Sequence, residues 1–257
     1  MINDNKNEPG GPKFMTNPDD VRPKPKRFYK QVSLETSDEG HAIHLDGRPI
    51  KTPMKQSLQV CSEPLARAIA NEWDAQEDVI DHEAMLFTKL ANTAIDRVAP
   101  RRQDIIDEII SYAGSDLLCY RASEPASLQE REAMSWDPFL QWLEATYNVQ
   151  LQTTGGIIHV SQEESQLQRL KQVLSPYDDL SLTVLHNLTT LIGSAVLPLA
   201  LIETDWEGDH IWQVAHIDED FQIERWGQDE EAQARRQKRR LEFDRTYEFY
   251  QLAVQDL

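Results

Sequence analysis

Three kinds of residue in this sequence could do chemistry: carboxylates in runs, histidines beside carboxylates, and the cysteines Cys61 and Cys119. His82-Glu83 opens like H-E-x-x-H, a zinc motif in which two histidines four apart share one helical face, but position 86 is Leu. The other histidines are scattered, with only His41/His44 and His210/His216 close in sequence, and no metal ligand is assigned. Cys119, in S-D-L-L-C-Y-R at the end of an apolar helical stripe, reads as a small buried hydrophobe and not as a nucleophile. Asp74, Glu77, Asp78 and Asp81 have the chemistry of general acids and bases, yet in an acidic chain such a run reads as a solvated face. No phosphate-cradling G-x-x-x-x-G-K-[ST], dinucleotide G-x-G-x-x-G, nucleophile elbow G-x-S-x-G or C-x-x-C occurs. These absences weaken an enzyme reading without excluding it, and no catalytic residue or cofactor is assigned. An enzyme would need an unrecognised carboxylate site in a cleft between domains.

Charge segregation says more. The 26 Lys+Arg stand against 44 Asp+Glu, a net charge of -18 that repels nucleic-acid phosphates and anionic membranes. From Glu203 to Glu231 eleven acids face one cation, Arg225, and then Arg235, Arg236, Lys238, Arg239 and Arg240 follow at once. The stretch E-R-W-G-Q-D-E-E-A-Q-A-R-R-Q-K-R-R places a helix break at Trp226-Gly227, with glycine in the αL conformation, ahead of Asp229, Glu230 and Glu231. Its basic half reads as an exposed helix with Glu231–Arg235 and Asp229–Arg236 pairs, not as a nucleic-acid arm. Trp226 is expected in the core, with its indole N–H bonded locally.

The elements that must position these residues follow from periodicity. Residues 1–27 are Pro- and Gly-rich with few large apolar side chains and read as a flexible tail; their acids argue against a transit peptide. Val32/Leu34 and Ile43/Leu45 alternate around Asp38-Glu39-Gly40, and Asp46-Gly47 turns into two further short strands within R-P-I-K-T-P and S-L-Q-V. Ser62 caps a helix carrying Leu65, Ile69 and Trp73. Helical stripes then recur at Leu86–Val98, Ile105–Leu117 and Trp136–Tyr147. A strand pair is expected at 149–151 and 157–160, a capping box at Ser161/Glu164, a buried, kinked helix over Leu180–Ile202, and helices at about 207–225 and 229–255, the last with a Phe243, Tyr247, Tyr250, Val254 stripe. The fold class is α+β: a flexible tail 1–27, a small antiparallel β-rich N-terminal domain 28–84 and a mostly α-helical C-terminal domain 85–257. Leu180–Ile202 is interrupted by polar residues, Gly193 and Pro198, short of the ~20 mainly apolar residues a membrane span needs, so no stable membrane insertion is expected. Two cysteines without a secretory signal fit a reducing compartment.

Several phrases occur in order: R-F-Y-K-Q-V, L-D-G-R-P-I-K-T-P, L-A-R-A-I-A-N-E-W-D-A-Q, L-A-N-T-A-I-D-R, D-L-L-C-Y-R, W-D-P-F-L-Q-W and F-Q-I-E-R-W-G. Together, over about residues 27–240, they resemble the assembly chaperones of the ATP synthase catalytic head, the type that binds the alpha subunit. The resemblance implies no catalytic activity and one protein client, an unassembled alpha subunit protected from aggregation until it meets beta. The family pattern W-G-x-x-E falls on Trp226, Gly227 and Glu230, which makes Glu230, flanked by Asp229 and Glu231, the leading contact. The His-Asp that follows in some members is replaced here by the region Ala232-Gln233-Ala234, and Ser115 stands where many have Thr. A general acidic adaptor is the alternative to a dedicated chaperone. A bacterial cytoplasm is the expected compartment, with the mitochondrial matrix if the chain is a processed form.

Overall fold

The computed structural model describes residues 24–156 and 158–255; most of the expected tail, and Ile157 of the expected strand pair, lie outside them. Period-two alternation produces the hairpin β1 (Val32–Ser37) and β2 (Gly40–Leu45), in register from Val32 opposite Leu45 to Ser37 opposite Gly40. Asp46 and Gly47 turn the chain at positive φ into β3 (Arg48–Pro49), and both β3 and β4 (Gln59–Val60) pair antiparallel with β2, at opposite ends of it. Gly40 is required here twice over: φ is +122°, and a Cβ would stand 2.7 Å from the Val60 carbonyl oxygen. Asp46 also accepts the N–H groups of Lys30 and Gln31 at 3.0 and 2.9 Å, so L-D-G-R-P builds the hairpin.

Behind the sheet lies α1 (Glu63–Asp74), capped by the Ser62 hydroxyl, with Leu65 and Ile69 fully buried. The rest is mostly helical. It comprises α2 (Leu86–Thr93), which runs through a π turn at Ala94–Val98 into α3 (Arg102–Ala113), then α4 (Ala126–Tyr147), α5 (Glu164–Leu174), α6 (Asp179–Ile192), α7 (Val196–Glu203), α8 (Gly208–Ala215), α9 (Ile217–Trp226) and α10 (Glu230–Val254). This is an α+β fold with its small antiparallel sheet at the N-terminal end.

Five details differ from the sequence reading. The expected strand pair is absent among the described residues: β6 (Thr154–Gly155) pairs parallel with β5 (Tyr120–Arg121) instead. The hairpin's donors are already taken, since Gln150 N–H bonds the Gln166 side chain and Gln152 exchanges two bonds with Gln162. Those bonds hold Gln162 off the helix, so α5 starts after Glu163 and the Ser161/Glu164 capping box does not form. The 180–202 segment is two helices, parted at Gly193 with φ +75°, and the 207–225 helix is parted at His216. On α10 the fully buried residues are Phe243, Thr246 and Phe249, with Tyr247 and Tyr250 at the margin and Val254 exposed.

Buried carboxylates stitch these helices. Glu72 of α1 accepts Phe87 and Thr88 N–H at 2.8 Å and the Thr88 hydroxyl at 2.9 Å, capping α2 from a neighbouring helix where Met85 provides no side-chain cap. Asp116 accepts Leu118 N–H at 3.1 Å and Ala195 and Val196 N–H at 2.7 and 3.2 Å, tying the break before α7 to the end of α3; burial nevertheless pushes its carboxyl up to about 6. Glu132 of α4 accepts Ala122 N–H at 2.9 Å beside Asp218 of α9, whose buried Oδ1 has no donor.

Two predictions follow from these carboxylates. Glu72→Ala strands the α2 donors and should cost about 3 kcal/mol in urea unfolding, with Glu72→Gln costing less. Burial, and then the Asp218 carboxylate, push Glu132 up to about 7. A carboxyl raised on folding contributes stability below its unfolded pKa and loses it as pH rises through the folded one. Between pH 5 and 8 the melting temperature should therefore gain on the wild type's in Glu132→Gln, whose amide can also donate to Asp218. Parallel pH profiles for the two proteins would refute this assignment.

Candidate functional site

The acidic turn between α9 and α10 is assembled from three sides. Ile217 and Phe221 bury one face of α9, and the Arg225 guanidinium covers the Phe221 ring at 4.3 Å. Arg131 of α4 donates to both Glu224 oxygens at 2.9 Å, while the Trp136 indole donates to the Val214 carbonyl at 2.8 Å just ahead of α9. The end of α9 is thus held against α4 before the chain leaves it.

Gly227 makes the exit. Its φ of +80° is the positive value expected, but its ψ of 177° is extended, so the break is not an αL cap. No heavy atom beyond its chain neighbours lies within 4 Å of the place a Cβ would take, so the backbone angle and not crowding requires glycine. The chain re-enters a helix at Asp229, whose carboxylate accepts Ala232 N–H at 2.9 Å as the N-cap of α10. Asp229 is thereby committed to its own helix. Glu231 sits 3.6 Å from Arg235, with both side chains well exposed, a pair that contributes little stability. Glu230 is exposed and, among the described residues, has no cation within ion-pair distance.

Trp226 is 77 % exposed, which overturns its expected place in the core. Helical geometry explains why: with Ile217 and Phe221 facing inward, a residue five further on lies about 140° round the helix. That arithmetic was available in the sequence, and the habit of burying tryptophan obscured it. The structure therefore brings Trp226, Gly227, Asp229, Glu230 and Glu231 together on one turn, with the indole and Glu230 both uncommitted.

The basic run serves mainly as a staple, in a different way from the one expected. Arg236 does not pair with Asp229; it reaches back to Asp220 at 2.5 Å and Glu219 at 3.9 Å on α9. Arg240 binds Asp209 and Asp244, and Arg239 donates to the Leu191 carbonyl at 2.5 Å. The acids in the first turn of α9 thus bind α10's cations, while the acids in the first turn of α10 are left outward.

Away from this turn, Glu132 is fully buried and engaged by backbone N–H, with the half-buried Asp218 beside it. Burial pushes the Cys119 thiol up to about 12, far from a nucleophile's range. Among the described residues no group of three or more His, Cys, Asp or Glu gathers as metal ligands would, and no helix is long and apolar enough to cross a membrane.

Comparison with known proteins places the fold. Residues 26–144, spanning the sheet through most of α4, match the ATP12 chaperone protein family. The crystal structure of Atp12 from Paracoccus denitrificans superposes with a TM-score of 0.83 at 39 % identity, covering 89 % of this chain and 98 % of that one. The Atu1473 protein of Agrobacterium tumefaciens superposes at 0.81 with 38 % identity, over 90 % of each chain. The mitochondrial protein atp12 of Schizosaccharomyces pombe is 23 % identical over 223 residues, 82 % of this chain and 77 % of its own length. With the fold matched over nearly its whole length at this identity, the chain belongs to the ATP12 chaperone family of ATP synthase assembly factors.

Proposed function

We propose that this protein holds the unassembled alpha subunit of the ATP synthase catalytic head, without catalysis, and keeps it from aggregating until the beta subunit arrives. The contact is the turn at Trp226, Gly227, Asp229, Glu230 and Glu231. The observation that carries this reading is the joint exposure of Trp226 and Glu230, an aromatic anchor beside a carboxylate with no ion-pair partner among the described residues. An isolated subunit exposes an apolar interface edged by polar groups. An indole with a charged rim complements such a surface. The acids steer a basic patch toward the indole in a salt-sensitive way.

Asp229 presents the turn as its N-cap, and Gly227 sets its angle. Glu230 and Trp226 make the contact. The identity with a bacterial Atp12, higher than that with the mitochondrial yeast protein, favours a bacterial cytoplasm.

Glu230→Lys should weaken capture of separately expressed alpha subunit by at least about tenfold in pull-down and light-scattering assays, as should Trp226→Ser. Both residues are exposed, so circular dichroism and melting should stay near wild type. Full protection by folded Glu230→Lys would remove the site assignment. Equal competition by purified beta subunit would instead favour a general acidic adaptor.

A further inference from the structure

The acidic turn is one of two charged surfaces that α10 presents. Farther along the same helix, two grooves of about 760 and 630 Å³ join through the shared residues His82 and Lys89 and run from the loop after β3 across α2 to α10. Lys51, Lys89, Arg97 and Lys238 line them, all exposed, and among the described residues none has a carboxylate within ion-pair distance. Their neighbours on α10 behave differently: Arg235, Arg236 and Arg240 are all paired.

In a chain of net charge -18, carboxylates greatly outnumber cations, so four unpaired cations along one groove are not a shortage of partners. The acids in the groove do not neutralise them fully. Asp96 is turned inward, accepting the Thr52 hydroxyl at 2.6 Å and Met54 N–H at 2.9 Å, which leaves Glu83 and Glu242.

The groove is also apolar. Met54 and Leu241 stand 64 % and 63 % exposed on its two sides.

We infer that this groove takes a segment of the client polypeptide in which carboxylates accompany large apolar side chains. The inference rests on the client-holding reading above and adds a second contact of opposite charge. Carboxylates meet Lys51, Lys89, Arg97 and Lys238, and apolar side chains cover Met54 and Leu241. Elsewhere the acidic surface repels such a segment, so the groove also selects where it lands.

The test uses the full chain and three fluorescent peptides in anisotropy titrations: one built of Glu, Leu and Phe, the same peptide with Lys for Glu, and one with Ser for Leu and Phe. The acidic, apolar peptide should bind, with the other two at least about tenfold weaker. The exposed double variant Lys89→Glu/Lys238→Glu should lose about tenfold in affinity at an unchanged circular dichroism spectrum, and Met54→Ser/Leu241→Ser should also weaken binding. Equal or tighter binding of the Lys peptide or the Ser peptide overturns the inference, and so does unchanged affinity in the charge-reversed variant. Alpha-subunit capture separates the two readings. If wild-type protein fails to hold alpha, the client assignment falls whatever the peptides do. If wild type and the Lys89/Lys238 variant hold alpha equally and bind the acidic peptide equally, only the groove fails.

Discussion

The outward presentation of the acidic turn depends on the burial of one face in the second half of α10. Phe243 and Phe249 are fully enclosed, Phe243 edge-on to Trp212 of α8 and Phe249 edge-on to Phe87 of α2, with the Arg245 guanidinium 4.0 Å over the Phe87 ring. A helix of 25 residues anchored there is a rigid extension, rising about 1.5 Å per residue toward its N-terminus. The polar first half needs no core of its own. It is steadied by Arg236 and Arg240 against α9 and α8 and ends in carboxylates facing water.

Charge is distributed so that attraction is spent internally in one place and withheld in two others. Asp218, Glu219 and Asp220 open α9, and the last two meet Arg236, whereas Glu230 and Glu231 open α10 and meet at most one exposed arginine. Similar first-turn acids therefore have different fates according to which side of the Gly227 break they lie on. Sequence-level bookkeeping sees the imbalance and not its partition, because partition depends on which helices become neighbours.

The hairpin was plainly legible, since Val32, Leu34, Ile43 and Leu45 alternate and Asp46-Gly47 can only be a turn. The Ser62 cap and the helical stripes through Leu65/Ile69 and Trp136/Leu143 were equally readable, because local periodicity fixes them. Elements decided by distant side chains were not. Gln162 and Gln166 claim the backbone that an isolated reading gives to a strand pair, and Glu72 caps a helix that begins fourteen positions after it in sequence. Of the turn, the break and the acids were visible and the outward indole was not: the residue type argued for burial while the helical angle argued for exposure, and the angle won.

One hydrogen bond ties the beginning of this fold to its end: the Ser62 hydroxyl that caps α1 also donates to the Leu252 carbonyl, 190 residues on, at 2.5 Å. The helix that closes the core beside α1, α2 and α6 is thus joined to them by contacts far apart in sequence. Contacts of such sequence separation form late and slow folding. Until α10 docks, Phe87 lacks its Phe249 cover, so the sheet and early helices carry an unfilled apolar seat that only a distant part of the same chain can close.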